Sequence, residues 1–360
     1  MKLKSGLRVL WRNQKEIQIG ADPQLARTFQ IEHPREFDVL RMLETDCTAA
    51  QLRRELANFG GRRERVDQLL AELRDAGLLT AHGRGQTAEM QVPPASRELL
   101  APEAESRALV EGDGWKTLAR RSNQRVSVYG LGRTGAHIAL CLAASGVGTL
   151  QLHDPEPVRP RDRGQIYDRD DVGQPRAEIL AEIVNRHGFD CEARFRGRFA
   201  KPDAAVLVGY EVADPTRAAF LASHGIDHLS VVISELSITC GPWVPRGAGP
   251  CLRCQRLWAA DDDPCWPGLA TQRFVRSVVA SRGEDSNLAA AMGGLASAQV
   301  LQALGGHLPD TVGHTATMAL PSYHLDWSEL KVHPKCNSHN LRPRRPVAWN
   351  PPPVLPLPPV

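Results

Sequence analysis

An α/β fold built around one βαβ unit is what this sequence predicts, from three features of the stretch Val126–Asp154. Val126–Tyr129 is short, apolar and β-prone, so it reads as a buried strand. Gly130, Gly132 and Gly135 then follow as G-x-G-x-x-G, ahead of the apolar run Ala136–Ala144, which reads as a helix packed on a sheet. Thr149–His153 alternates like a second strand and ends at Asp154, at the spacing expected of an acid that accepts from ribose hydroxyls. The three glycines have separate tasks: a tight turn, close approach of the backbone to a phosphate, and close packing of helix on strand. Strand, turn, helix and terminal acid in register form a Rossmann-type unit. The ligand is not decided by it, because the same unit would serve a nicotinamide dehydrogenase.

The remaining bounds narrow the class. A chain of 360 residues is long enough for two domains and a sizeable core. A net charge of +3 is too mild to point to nucleic acid. No apolar stretch reaches the roughly 18 residues of a membrane span, and the start MKLKSGLRVLW lacks the apolar region of a secretory signal. Eight cysteines, two of them as Cys251-Leu-Arg-Cys254, fit reduced thiols and a metal better than a disulfide framework. A cytoplasmic protein is expected.

Residues 1–85 read as a small separate domain. Leu7–Trp11 and Glu16–Ile19 predict a hairpin around Arg12–Lys15. Helices are expected near Arg35–Leu43, Ala49–Leu56 (with Thr48 as N-cap) and Arg63–Ala76. The last places Val66, Leu69, Leu70 and Leu73 on one face and stops at Gly77. A hairpin with three short helices describes a winged helix. Its arginines are interleaved with acids and form no basic stripe, which argues against DNA binding. Residues 86–112 are polar and rich in Pro, Ala and Glu and read as a linker, the main domain spans 113–341, and the proline-rich tail 342–360 is expected to be disordered.

Further motifs go beyond the generic unit: Gly146-Val-Gly148, the acid pair Asp154 and Glu156 in HDPEPV, Gly173-Gln-Pro-Arg176 and Pro250-Cys-Leu-Arg-Cys254, in that order. In this the main domain resembles the ThiF/MoeB family, the bacterial relatives of ubiquitin-activating enzymes. The string CGPWVPRGAGPCLRC followed by DDDPCWP is similar to an actinobacterial subgroup related to the leader-peptide-binding partners of azoline-forming cyclodehydratases. The N-terminal segment resembles, in order and length, the PqqD-like peptide-binding domain known as the RiPP recognition element.

The resemblance implies a mixed sheet, a homodimer, and adenylation of the C-terminal carboxylate of a peptide or small protein with ATP and Mg²⁺. It implies that Gly130, Gly132 and Gly135 face the phosphates, with Asp154 and Glu156 at the ribose end. The chain departs from the family pattern at the phosphate end. Asp162-Arg-Gly-Gln165 stands where the family has Asn-x-x-Arg, so the catalytic arginine is missing or displaced to Arg163. Arg176 replaces a family lysine, a planar fork for a point charge. Val208-Gly-Tyr-Glu211 replaces the motif carrying the Mg²⁺-binding Asp, leaving Glu211 as the nearest acid. Weak or lost adenylation is the expectation. The basic run Arg159, Arg161, Arg163 and Arg169 would suit a triphosphate or a carboxylate, or a solvated loop.

Cys251 and Cys254 have the spacing of one half of a zinc site. The family closes that site with a second C-x-x-C further along. Here HPKCNSH offers Cys336 and His339 at the same gap, with His333 as a competing ligand. Three thiolates and an imidazole would make a closed, structural zinc site. Cys265 and Cys240 are weak thioester candidates, and Cys141 and His137 read as packing residues. Two function classes stand: an ATP-dependent activating enzyme, and a scaffold that binds a leader peptide and presents it to a separate modifying enzyme.

Overall fold

The computed structural model describes residues 1–80, 88–246, 249–277 and 283–337. The chain separates into two compact units, Met1–Arg120 and Arg121–Val360.

The first unit begins with an antiparallel sheet of β1 (Val9–Asn13), β2 (Glu16–Ile19) and β3 (Arg27–Gln30) in that order. The hairpin was legible in the sequence, but β3 was not. Arg27-Thr-Phe-Gln30 buries only Phe29, so it carries too short an alternation to be recognised. Helices α1 (Glu36–Arg41), α2 (Ala49–Ala57) and α3 (Arg63–Asp75) follow. Thr48 caps α2, accepting from the Gln51 amide at 3.2 Å while the Gln51 side chain accepts from the Thr48 amide at 2.7 Å. Val66, Leu69, Leu70 and Leu73 of α3 are all buried, in a core with Ile17, Ile19 and Leu52. Within the stretch read as a linker lies an 18-residue helix, α4 (Pro94–Glu111), followed by α5 (Gly114–Arg121). Leu100 and Ala104 of α4 bury against Val92 and Leu118, and Leu109 packs on the first core.

The second unit holds an eight-stranded mixed sheet: β4 (Arg125–Tyr129), β5 (Thr149–His153), β6 (Glu192–Arg194), β7 (Ala204–Tyr210), β8 (Asp227–Ile233), β9 (Ser237–Val244), β10 (His314–Ala319) and β11 (His324–Glu329). Their spatial order is β11-β10-β9-β8-β7-β4-β5-β6. Strands β8 to β6 of that order run parallel, and β9, β10 and β11 are antiparallel. The predicted βαβ unit is β4, α6 (Arg133–Ala144) and β5, paired in register Val126↔Leu150. Helix α11 (Ser286–Leu304) lies against α6, and Gly293 permits this, since a Cβ there would sit 2.7 Å from that of His137. Alternate strand residues face two ways. Val126 and Val128 join the core with α6, α7 (Arg176–His187) and α11, whereas Tyr129 packs with Leu221 of α8 (Pro215–Ser223). After β9 come α9 (Leu252–Asp262) and α10 (Trp266–Ser277).

None of the eight cysteines is disulfide-bonded. Among the described residues no helix is long and apolar enough to cross a membrane. The tail 342–360 and His339 lie outside the described residues.

Candidate functional site

Strand β4 neighbours β5 on one side and β7 on the other, so the chain reverses its direction of winding between β4 and β7. In open α/β sheets that switch point is where ligands bind, beyond the carboxyl ends of the strands. A cavity of about 130 Å³ opens there, lined by Tyr129, Gly130, Tyr210, Asp214 and Arg217 among others. Gly130 leaves β4 with φ of 86°, and a Cβ on it would meet the Val208 carbonyl at 2.4 Å. Gly135 lies so close to the Gly130 carbonyl that a Cβ would fall 1.9 Å from it. Only glycine fits either place, as the predicted roles require.

The turn delivers backbone N–H groups at the start of α6, where a helix favours an anion. A carboxylate already takes that place. Glu284 accepts from the Thr134 amide at 2.9 Å and from the Thr134 hydroxyl at 2.8 Å. The Tyr210 hydroxyl donates to the other oxygen of the same carboxylate. That oxygen lies 2.8 Å from where a Cβ of Gly132 would stand. Burial, and then the Glu284 charge, hold the Tyr210 phenol well above its ordinary pKa, so it remains a donor. Arg133, in the turn itself, donates to the carbonyls of Arg161 (2.9 Å), Arg163 (2.5 Å) and Glu284 (3.1 Å) and to the Ser286 hydroxyl (2.8 Å).

At the other end of the cradle Asp154 accepts from the amides of Leu131 (2.7 Å) and Glu156 (2.9 Å). Arg176 donates to Asp154 at 3.3 Å and, through two nitrogens, to Asp162 at 2.9 and 2.7 Å. The side chains of Asp154, Asp162 and Arg176 are 5%, 3% and 8% exposed. Burial works against the Arg176 charge, but the two carboxylates outweigh it and raise its pKa, so the guanidinium stays protonated. Glu156 pairs with Arg159. The structure thus brings Gly130, Gly132, Gly135, Asp154, Glu156 and Arg176 to one edge of the sheet. Arg163 is exposed and engages the cradle through its carbonyl alone, while Arg161 and Arg169 are exposed on the same loop. Glu211 is buried after β7 and ion-paired with Arg273 of α10, which also lies 3.7 Å from Glu235.

A second cluster lies at the start of α9. Cys251 Sγ is 3.8 Å from Cys254 Sγ and 3.8 Å from Cys336 Sγ. Among the described residues this is the one group of three His, Cys, Asp or Glu ligand atoms within 4.8 Å of one another. Burial, with the neighbouring thiols, pushes Cys251 up to about 11. His333 is not in the cluster. It is 1% exposed, its Nε2 bonds Asp261 at 2.9 Å, its Nδ1 accepts from the Lys335 amide at 3.1 Å, and Trp258 packs edge-on 4.5 Å away. A soft, tetrahedral cation is what three converging thiols suit. Of the other candidates, Cys240 is fully buried with its thiol pushed up to about 12, Cys265 is exposed, and Cys141 and His137 lie half-buried on α6. Glu284 and Arg273 were not legible in the sequence, since neither belongs to a local motif that points at the cradle; Arg133 and Tyr210 lie inside such motifs, but their partners are distant in the chain.

Residues 106–213 match the model of the ThiF family. The chain carries a ThiF-family domain. It is 31% identical over 102 residues to the tRNA threonylcarbamoyladenosine dehydratase of Escherichia coli K12, covering 27% of this chain and 38% of that one. It is 25% identical over 231 residues to the adenylyltransferase and sulfurtransferase MOCS3 of Drosophila sechellia, covering 58% of this chain and 50% of that one. The chain therefore spans half or less of those relatives. Among solved structures it is similar to E. coli MccB, with a TM-score of 0.65 and 13% identity over 94% of this chain and 98% of that one. Its similarity to PaaA has a TM-score of 0.70 and 17% identity, over 90% and 98% of the two chains. At these identities the likeness to MccB and PaaA is one of fold. Residues 106–213 thus match the ThiF family, and the fold is shared with MccB and PaaA.

Proposed function

We propose that this ThiF-type protein binds ATP weakly in the glycine cradle and binds a peptide or small-protein partner, and that its adenylation is weak or lost. One observation carries this reading: the charged groups that would act on a phosphate are already paired within the chain, Arg176 with Asp154 and Asp162, and Glu211 with Arg273. Catalysis of phosphoryl and adenylyl transfer relies on cations and metal ions aimed at developing charge. A guanidinium bound to two carboxylates, and a carboxylate bound to a guanidinium, are poorly placed for that. The Glu284 carboxylate on the Thr134 amide supports the reading that the cradle suits an anionic oxygen. MccB structures with ATP and with N-formylated MccA support a nucleotide and a peptide as the ligand classes.

In this reading Asp154 takes the ribose hydroxyls, and Mg²⁺ would reach Glu211 only after Arg273 moves away. Cys251, Cys254, Cys336 and His339 hold a structural zinc. The protein acts in the cytoplasm as a homodimer. ATP–pyrophosphate exchange with candidate partner peptides is the test: exchange near background is expected, and an ordinary enzymatic rate would sink the claim that adenylation is weak.

A second reading, a scaffold that presents a leader peptide to a separate modifying enzyme, is favoured by the first unit. Its small sheet ends in two edge strands, β1 and β3, and β1 exposes Leu10 and Trp11. An extended peptide adds to such an edge through main-chain hydrogen bonds, with side-chain pockets giving specificity. Peptide binding without any nucleotide dependence would select this reading.

A further inference from the structure

We propose that Glu284 decides what the glycine cradle admits: its carboxylate holds the anion position at the start of α6, and a polyphosphate binds only by displacing it. This rests on the reading of the cradle as a nucleotide site.

The argument begins with the donors. The start of a helix presents N–H groups with no partner of their own, and a positive end of the helix dipole. In this chain the Thr134 amide is served by Glu284, with the Thr134 hydroxyl and Tyr210 hydroxyl completing the grip. A carboxylate oxygen and a phosphate oxygen make the same demand on such donors, so both cannot be served at once. Gly132 keeps the space open for the carboxylate, since a Cβ there would overlap it.

The acid is also held from behind. Asp285 caps α11, accepting from the amides of Asn287 and Leu288, both at 3.0 Å. Arg133 binds the Glu284 carbonyl and the Ser286 hydroxyl. The backbone that leads from Glu284 into α11 is therefore held, and the side chain reaches the cradle from the start of a 19-residue helix. A triphosphate arriving beside it would meet a like charge in a partly buried setting, where screening is weak. The same pattern recurs at Glu211, where Arg273 supplies the cation that a bound metal would otherwise bring. Two segments that follow β9 in the sequence thus supply an anion at the α6 amide and a cation at Glu211.

The test is titration calorimetry of the full chain with MgATP and with AMP, comparing wild type, Glu284→Gln, Glu284→Ala and Tyr210→Phe. Glu284→Gln keeps an acceptor for the Thr134 amide while removing the charge, so it guards against a variant that merely unfolds; thermal melts check this. Both Glu284 variants are expected to bind MgATP at least about tenfold more tightly than wild type, a change of roughly 1.4 kcal/mol. Tyr210→Phe should gain a smaller factor, and AMP should gain less than MgATP. Measurable but equal affinities in wild type and both folded Glu284 variants would overturn the proposal and leave the nucleotide reading intact. No binding of either nucleotide by any of the four proteins would remove both.

Discussion

The glycine cradle and the cysteine cluster sit in the same unit and solve opposite problems. At the cradle every charge has an intramolecular counter-charge or donor set: Glu284 on the α6 amide, Arg176 between Asp154 and Asp162, Arg273 on Glu211. At the cluster three thiols from two distant segments converge, with Cys251 Sγ 3.8 Å from each of the other two sulfurs. Among the described residues, backbone amides and those two thiols act on the Cys251 thiol, and no charged side chain is paired with it. Buried charges are tolerated when paired and are very costly when not. A site that is complete in itself gains little from a ligand, whereas converging thiolates become stable only around a cation. The difference separates a region whose charges are balanced from within from one whose thiols offer themselves to a cation.

The largest effect should come from the cluster. Cys251→Ser or Cys336→Ser should release zinc and destabilise the unit by on the order of 4 kcal/mol, about 10 °C in melting temperature. Metal analysis of unchelated wild-type protein that finds no zinc would erase the contrast. At the cradle, Arg176→Lys keeps the charge, yet a compact ammonium lacks the planar fork that reaches Asp162 and Asp154 together. It should cost about 2–4 kcal/mol in stability and leave pyrophosphate exchange near background. A rise in exchange would show that the pairing is no obstacle to chemistry.

The third test uses pH. His153, just before Asp154, is buried and stacks on Tyr129 at 4.3 Å, and its Nε2 forms no hydrogen bond. Burial, aided by the Arg217 charge, lowers its pKa to about 3. The folded state therefore resists a proton that the unfolded chain accepts below about pH 6.5, so stability is full above that value and falls towards pH 3. At pH 5 the loss from this group should be about 2 kcal/mol, and His153→Phe should remove it from the wild-type melting curve. Parallel pH profiles for the two proteins would show that the imidazole carries none of the acid sensitivity. The smallest effect is expected of His333→Gln, about 1 kcal/mol from the lost bond to Asp261 with zinc content unchanged. Loss of metal would make His333 a ligand and redraw the cluster.

Much of the frame was readable because it rests on local patterns. The βαβ unit needs only glycine spacing and apolar periodicity, and α3 needs only Val66, Leu69, Leu70 and Leu73 on one stripe. Cys251 and Cys254 are legible because metal geometry imposes short spacings, whereas Cys336, 85 residues after Cys251, is pointed to by the family resemblance. What was missed is long-range or locally disguised. Glu284 meets Thr134 across 150 positions, and nothing in GEDS marks it as a partner of a glycine turn. Helix α4 hides behind Pro94 and Pro102, although Pro94 sits in the first turn, where a missing N–H costs nothing. The pairing of Arg176 is not visible in the sequence, because the carboxylates that bind it lie 14 and 22 residues earlier, on a separate loop and strand end.

Arg133 has a kinetic meaning as well. Its one guanidinium ties the loop at 161–163 to the segment at 284–286 through four hydrogen bonds. The two walls of the cradle are riveted together, so neither can open without the other. Were a nucleotide to bind as proposed, its passage in either direction would wait on a concerted break of those bonds. Arg133→Ala should speed both arrival and departure, leaving a mouth that exchanges its contents faster at little change in equilibrium affinity.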